Sequence, residues 1–161
     1  MLRVLALGAG VVVFDQLTKA AVVSHLAPGT HVDIVEGFVT LTLVMNPGLA
    51  FGLLGGIPTG WRWLVASLSI AALVVLARVA LRVLPGGSRL DQVAIGFIFG
   101  GAVGNLIDRV RFGAVVDFVD LHARGYHWPA FNVADSAISV GVILLALRLL
   151  LRPAPSASPT S

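Results

Sequence analysis

The chain has 161 residues, of which 57% are hydrophobic and 12% charged, with a net charge of +3 and a mean hydropathy of +0.95. That is too little polar surface to cover a soluble globule of this size, and the composition is that of a membrane protein. Cysteine is absent, which excludes a disulfide framework and a thiolate nucleophile, and no Lys-rich or Arg-rich cluster interleaved with aromatics points to a nucleic-acid partner.

Residues 2–24 form the first apolar segment, long enough to cross a hydrocarbon core of roughly 30 Å. A cleaved leader is the competing reading. Asp15 and Lys19 interrupt the apolar run where a leader would continue it, and no persuasive small-x-small cleavage site follows, so the segment is expected to stay as a helix. Asp15 and Lys19 are spaced i, i+4 with the acid first, the favourable order for a helical ion pair. Two readings of this pair stand: self-neutralisation with Lys19 snorkelling outward, or positioning of a site group.

From Pro28 to Gly56 the period changes from helical to two. Val39, Leu41, Leu43 and Met45 alternate with Thr40, Thr42 and Asn46, the pattern of a half-buried strand with its apolar side inward. Its backbone edge cannot face hydrocarbon, so this segment belongs outside the bilayer or at its surface. Asn46-Pro47-Gly48 is a turn signal, and 49–54 is a short apolar stretch suited to the interface.

Residues 61–84 make a second spanning helix, with Trp61 and Trp63 as interfacial anchors at one end and Arg78 and Arg82 at the other. Ser88 and Asp91 form a capping box that starts a third helix over about 90–108, which gives Asp91 a structural role. Gly96, Gly100 and Gly104 make a small-residue seam on it that admits another helix, a substrate's signal helix among the candidates. Gly101, Asn105 and Asp108 lie on a neighbouring face. The last helix spans about 133–151 behind a second capping box, Asn132 with Asp135. Residues 153–161 are Pro-rich and Ser-rich and read as a disordered tail.

The fold class expected is therefore an all-α membrane protein, a single domain over 1–152, with four transmembrane helices, a small extracytoplasmic β-rich segment and an interfacial helix. Arg3, Arg78, Arg82, Arg89, Arg148 and Arg152 cluster on one side, and 25–60 contains no Lys or Arg. Both termini are then cytoplasmic, and 25–60 shares the outer face with 109–131. Arg109, Arg111 and Arg124 run against that bias, and Asp108 is the expected partner of Arg109.

Seven of the charged residues fall between 100 and 136, and five of them, Asp108, Arg109, Asp117, Asp120 and Asp135, are the ones gathered there with Asn105 and Asn132. Ionisable groups near bilayer depth are costly and mark functional sites. Helices three and four run antiparallel, so Asp117 and Asp135 both arrive at the outer face. Two neighbouring carboxylates share a proton, and such a pair activates water and donates a proton. The plainer readings are a helix cap for Asp135, a salt bridge to Arg109 or Arg111 for Asp117, and a solvated loop position for Asp120. No zinc-protease or serine-hydrolase motif is present. His25, His31, His122 and His127 read as loop residues without a ligand cluster, so no metal and no cofactor is expected. A proton-coupled carrier or a helix-assembly scaffold are readings from other classes; the first lacks inverted repeats and the second gives no reason for acids at one face.

The motifs resemble those of the signal peptidase II family of bacterial aspartic membrane proteases. Four blocks carry the resemblance in order: Asp15-Gln16-Leu17-Thr18-Lys19; Asn46-Pro47-Gly48-Leu49-Ala50-Phe51; Gly104-Asn105-Leu106-Ile107-Asp108-Arg109 leading to Val115-Val116-Asp117-Phe118; and Phe131-Asn132-Val133-Ala134-Asp135-Ser136. Leu49 departs from the small residue expected after Gly48. The resemblance implies that Asp117 and Asp135 are a catalytic dyad. It also implies that Asp15, Lys19, Asn46, Gly48, Asn105, Asp108, Arg109, Asn132 and Ala134 line or brace the site. It implies a prolipoprotein substrate with a diacylglyceryl-cysteine, contact with membrane lipids, inhibition by the cyclic peptide globomycin, and a place in the bacterial inner membrane with the site near the periplasmic face. Segment 32–54 is expected to cover the site.

Overall fold

The computed structural model describes residues 1–48 and 62–151. The interfacial segment at 49–54, the Trp61 anchor and the tail at 153–161 lie outside the described residues. The described chain runs α1 (Leu2–His25), β1 (His31–Val35), β2 (Val39–Asn46), α2 (Arg62–Val83), a 3-10 turn (Leu84–Gly86), α3 (Arg89–Phe112), β3 (Val115–Ala123), β4 (Tyr126–His127) and α4 (Val133–Leu150). Among the described residues, three helical stretches are long and apolar enough to cross a membrane: α1, Trp63–Gly86 and α3. The chain is mostly helical, with one small antiparallel sheet in the order β1-β2-β3-β4.

Helix α3 is central, packed against α1, α4 and α2. It starts at the Ser88–Asp91 capping box and ends at Gly113, whose φ of 68° is the left-handed conformation a helix stop needs. Asp91 also pairs with Arg148 of α4, so its part is structural. The buried residues of α1, Val4, Gly8, Asp15, Lys19 and Val22, recur at helical spacing and make one stripe toward α3. Lys19 is therefore turned inward, at 3% exposure, and does not snorkel.

Absence of side chains sets the α1–α3 distance. A Cβ on Gly100 would sit 2.6 Å from the Gly8 carbonyl oxygen, and one on Gly96 3.2 Å from that of Val4. The seam of Gly96, Gly100 and Gly104 is thus filled by α1 and is not a contact for a substrate helix. Gly100→Leu is expected to destabilise the bundle by about 1–3 kcal/mol or more. Gly10→Ala, at a position with nothing within 4 Å of a built Cβ, should leave the melting temperature in detergent unchanged. Equal effects of the two substitutions would show that close approach is not what holds α1.

The sheet departs from the expected alternation. Thr40 and Thr42 are buried at 4% each, whereas Val44 and Met45 are exposed. A register shift between Leu41 and Val44 in the β2–β3 pairing, the mark of a bulge, breaks the alternation there and leaves the consecutive residues Thr42 and Leu43 both buried. Thr40 satisfies its hydroxyl by donating to Asp33 Oδ1 at 2.7 Å. Leu43, on the buried side, packs with Val22 of α1 and with Val116 and Phe118 of β3, which fixes the sheet to the end of α1. Strand β3 was not marked by period two, because Val115, Val116, Asp117 and Phe118 are all buried in succession, the pattern of a strand covered on both faces.

Candidate active site

Two backbone devices bring Asp117 and Asp135 together. Phe131 forms an antiparallel bridge with Val119, with Val119 N donating to Phe131 O at 2.9 Å and Phe131 N to Val119 O at 3.1 Å. The next residue, Asn132, therefore falls beside β3 and immediately starts α4. Its side chain caps α4 in a reciprocal box with Asp135. Asn132 then grips both acids. Its Nδ2 donates to Asp117 Oδ1 at 2.7 Å, and its backbone amide donates to Asp135 Oδ2 at 3.3 Å.

Neutral amides hold the rest of the two carboxylates. Asn46, at the end of β2, accepts from Gly48 N with its Oδ1 at 3.0 Å, which turns its Nδ2 toward Asp117 Oδ2, also at 3.0 Å. The turn and the site thus share one side chain. Asn105 of α3 donates from Nδ2 to Asp135 Oδ1 at 2.8 Å. Its Oδ1 is fixed by Lys19 Nζ at 3.0 Å and by Asn132 Nδ2 at 3.2 Å. Asp117 has no ion pair with Arg109 or Arg111 among the described residues.

Behind this layer lies a buried charge cluster. Lys19 Nζ is 2.8 Å from Asp15 Oδ2 and 2.8 Å from Asp108 Oδ2. With Asn105 that gives its three protons three acceptors. Asp15 also accepts from the Ala134 amide at 2.9 Å, tying α1 to the N-terminus of α4, where free amides and the helix dipole favour a carboxylate. Asp108 accepts from the Val116 amide at 3.1 Å, tying α3 to β3. Gly104 has no side chain because Asp15 lies against it: a Cβ there would be 2.6 Å from Asp15 Oδ2. Gln16, beside Asp15 in the first motif, joins the cluster as well: its Nε2 donates to Asp108 Oδ1 at 2.9 Å and to Asp15 Oδ2 at 3.2 Å. Its spacing of three from Lys19 was the signal available.

Asp108 is thus not the partner of Arg109. Neighbours in a helix point apart, and Arg109 reaches elsewhere: Nη2 donates to Gly48 O at 3.0 Å and Nη1 to Asn105 O at 3.3 Å. It locks the turn after β2 onto α3. All nine supporting residues named from sequence belong to this one network with the two acids. Asp120 does not. It is buried in β3 at 9% exposure and paired with His127, not solvated in a loop. His122 and His127 are likewise strand residues and lie with Asp120 in one ligand-type cluster, which corrects the reading of scattered loop histidines.

Burial raises the Asp117 carboxyl to about 7, and the charge on Asp135 acts in the same direction, against the hydrogen bond from Asn46, the one from Asn132 and the charge of Lys19. Asp117 can therefore hold a proton near neutral pH, and the oxygens of both acids accept from amide donors. A protonated acid beside a hydrogen-bonded carboxylate is an acid–base pair.

The sequence matches signal peptidase (SPase) II over residues 7–151. It is 46% identical to a lipoprotein signal peptidase of Paraburkholderia phytofirmans over 143 residues, covering 88% of this chain and 81% of that one. It is equally 46% identical to the lipoprotein signal peptidase of Burkholderia mallei over 136 residues, 84% of this chain and 80% of the relative. Among solved structures, a bacterial membrane enzyme determined by the in meso method at 2.3 Å superposes with a TM-score of 0.78 at 35% identity, over 91% of this chain and 87% of that one. A second, at 1.9 Å, gives a TM-score of 0.74 at 32% identity, over 93% and 94%. The apolar helices make the chain an integral membrane protein, and the match across nearly all of it means that it belongs to the signal peptidase II family.

Proposed function

We propose that the chain removes the signal peptide from diacylglyceryl-modified prolipoproteins, cutting before the lipidated cysteine, with Asp117 and Asp135 as its dyad. The observation that carries this reading is the grip of Asn132 on both carboxylates at once. The ionised Asp135 takes a proton from water as the water oxygen attacks the scissile carbonyl carbon, and Asp117 gives its proton to the carbonyl oxygen. As the tetrahedral intermediate collapses, the C–N bond breaks, the departing nitrogen takes the proton from Asp135, and Asp117 recovers one from the hydroxyl. Asn46, Asn105 and Asn132 keep the two acids oriented without neutralising them, and Lys19, Asp15, Asp108 and Gln16 keep those amides in place. Arg109 holds the turn at Gly48 against the site.

In this reading α4 is a fourth span, both termini are cytoplasmic, and the sheet and dyad lie at the periplasmic face of the inner membrane. The Arg148–Asp91 pair at the other end of α4 supports that orientation. Bond cleavage then occurs at the membrane surface, and the diacyl chains deliver the substrate there, each buried methylene adding about 0.8 kcal/mol of anchoring. Purified protein incubated with matched lipobox peptides tests this. The diacylglyceryl peptide should be cut before its cysteine, globomycin should block the cut, and the unlipidated peptide should react about tenfold more slowly or worse, because remote binding energy is lost. Similar rates for the two peptides would show that the lipid does not deliver the bond.

The protonated state of Asp117 also has a stability consequence. Its folded value of about 7 lies above the ordinary 3.8, so its contribution to stability is present below pH 3.8 and is lost as pH rises through about 7. The stability of Asp117→Asn relative to the unsubstituted protein should therefore climb across that window. A difference that stays flat from pH 4 to 8 would place the proton elsewhere.

A further inference from the structure

We propose that Asp120, His122 and His127 form a site for one divalent transition-metal ion of the zinc type, on the sheet and apart from the dyad. Strand geometry puts residues two apart on the same face, which aligns Asp120 with His122. The β3–β4 register sets His127 directly across from His122. The hairpin between them turns in two residues, Arg124 with φ 51° and Gly125 with φ 82°, the tight turn that holds cross-strand partners in register.

The donor atoms are close to what the ion requires. One ligand atom from each of the three residues lies within 4.8 Å of the others, and a tetrahedral ion with bonds of about 2.0–2.1 Å sets its donors roughly 3.3 Å apart. One edge of that triangle is already short: His127 Nδ1 is 2.9 Å from Asp120 Oδ2. The imidazoles are stacked with centroids 5.0 Å apart at 18°, and both rings turn toward a common point to close the remaining edges when an ion binds. His122 Nδ1 is buried and has no hydrogen-bond partner among the described residues. Buried polar nitrogens are nearly always satisfied, and an ion would supply the missing partner.

Two imidazoles and one carboxylate suit zinc and its neighbours, not calcium or magnesium, which take oxygen ligands. Binding would replace the contact between His127 and Asp120 and leave a fourth position for water beside the groove lined by Phe38, Leu121, Tyr126 and Trp128. The ion would clasp β4 to β3, the strand that carries Asp117 closer to its start.

The test uses the untagged full-length protein, stripped with chelator in detergent and titrated with Zn²⁺ alone, with Co²⁺ as a spectroscopic probe. One Zn²⁺ per chain, a rise in melting temperature and the strong visible bands of four-coordinate Co²⁺ are expected. His122→Ala and His127→Ala should each weaken binding about tenfold or more, while His25→Ala and His31→Ala should not. No stoichiometric uptake by the unsubstituted protein, or uptake unchanged in the His122→Ala, His127→Ala double variant, overturns the site. The titration of the unsubstituted protein decides even where a variant fails to fold, and cleavage of the lipidated peptide reads out the dyad separately.

Discussion

Asp117→Asn and Asp135→Asn should each lower the rate of cleavage by about 10²–10⁴-fold, the range that a positioned acid or base contributes, while the protein stays folded. The carboxamide keeps the shape of the carboxylate, and at position 117 it removes a group that burial already resists ionising. The two losses should not add, because the acids act on one water and either absence stops the proton exchange. Asp120→Asn is the control. It sits three residues further along the same strand and pairs with His127, outside the network of Asn46, Asn105 and Asn132, so cleavage should persist. Turnover near that of the unsubstituted protein in either dyad variant would sink the mechanism, and equal loss from Asp120→Asn would mean that the wrong carboxylates have been paired.

Lys19→Met should destabilise the bundle by about 3–5 kcal/mol, the cost of stranding buried charge. Asp15 and Asp108 are 0% and 1% exposed, and both depend on one ammonium 2.8 Å away. Methionine preserves most of the side-chain volume, so lost packing is not the cause. Charge repulsion between the two acids predicts a specific rescue: Asp15→Asn in the Lys19→Met background should recover part of the lost stability. A packing defect predicts independent, additive losses instead. Thermal unfolding of the four proteins in detergent, run as a double-mutant cycle, distinguishes the two. Activity should fall with Lys19→Met as well, since Asn105 Oδ1 loses the contact that aims its Nδ2 at Asp135.

Membrane character, the turn at Asn46-Pro47-Gly48, the two capping boxes and the family motifs are legible in the chain alone. Each is local: apolar length, a turn triplet and an i, i+3 pair are written in consecutive residues. Sequence also brought the same polar residues forward, because charge in so apolar a chain is costly wherever it stands. Their pairing was decided only by tertiary structure. Asp108 could be matched to the adjacent Arg109 or to Lys19 far away, and helix geometry chose Lys19 by turning Asp15, Lys19 and Asp108 onto facing stripes. The occupant of the Gly96–Gly104 seam was equally open, since a stripe of small residues states that something comes close without stating what; α1 fills it. Strand β3 hid because burial on both faces erases the alternation that marks a strand, and the bulge in β2 broke the alternation of a strand whose period is legible. With β3 unseen, the cross-strand meeting of His122 and His127 had no sequence signature at all, because it depends on the register that the Arg124-Gly125 turn imposes.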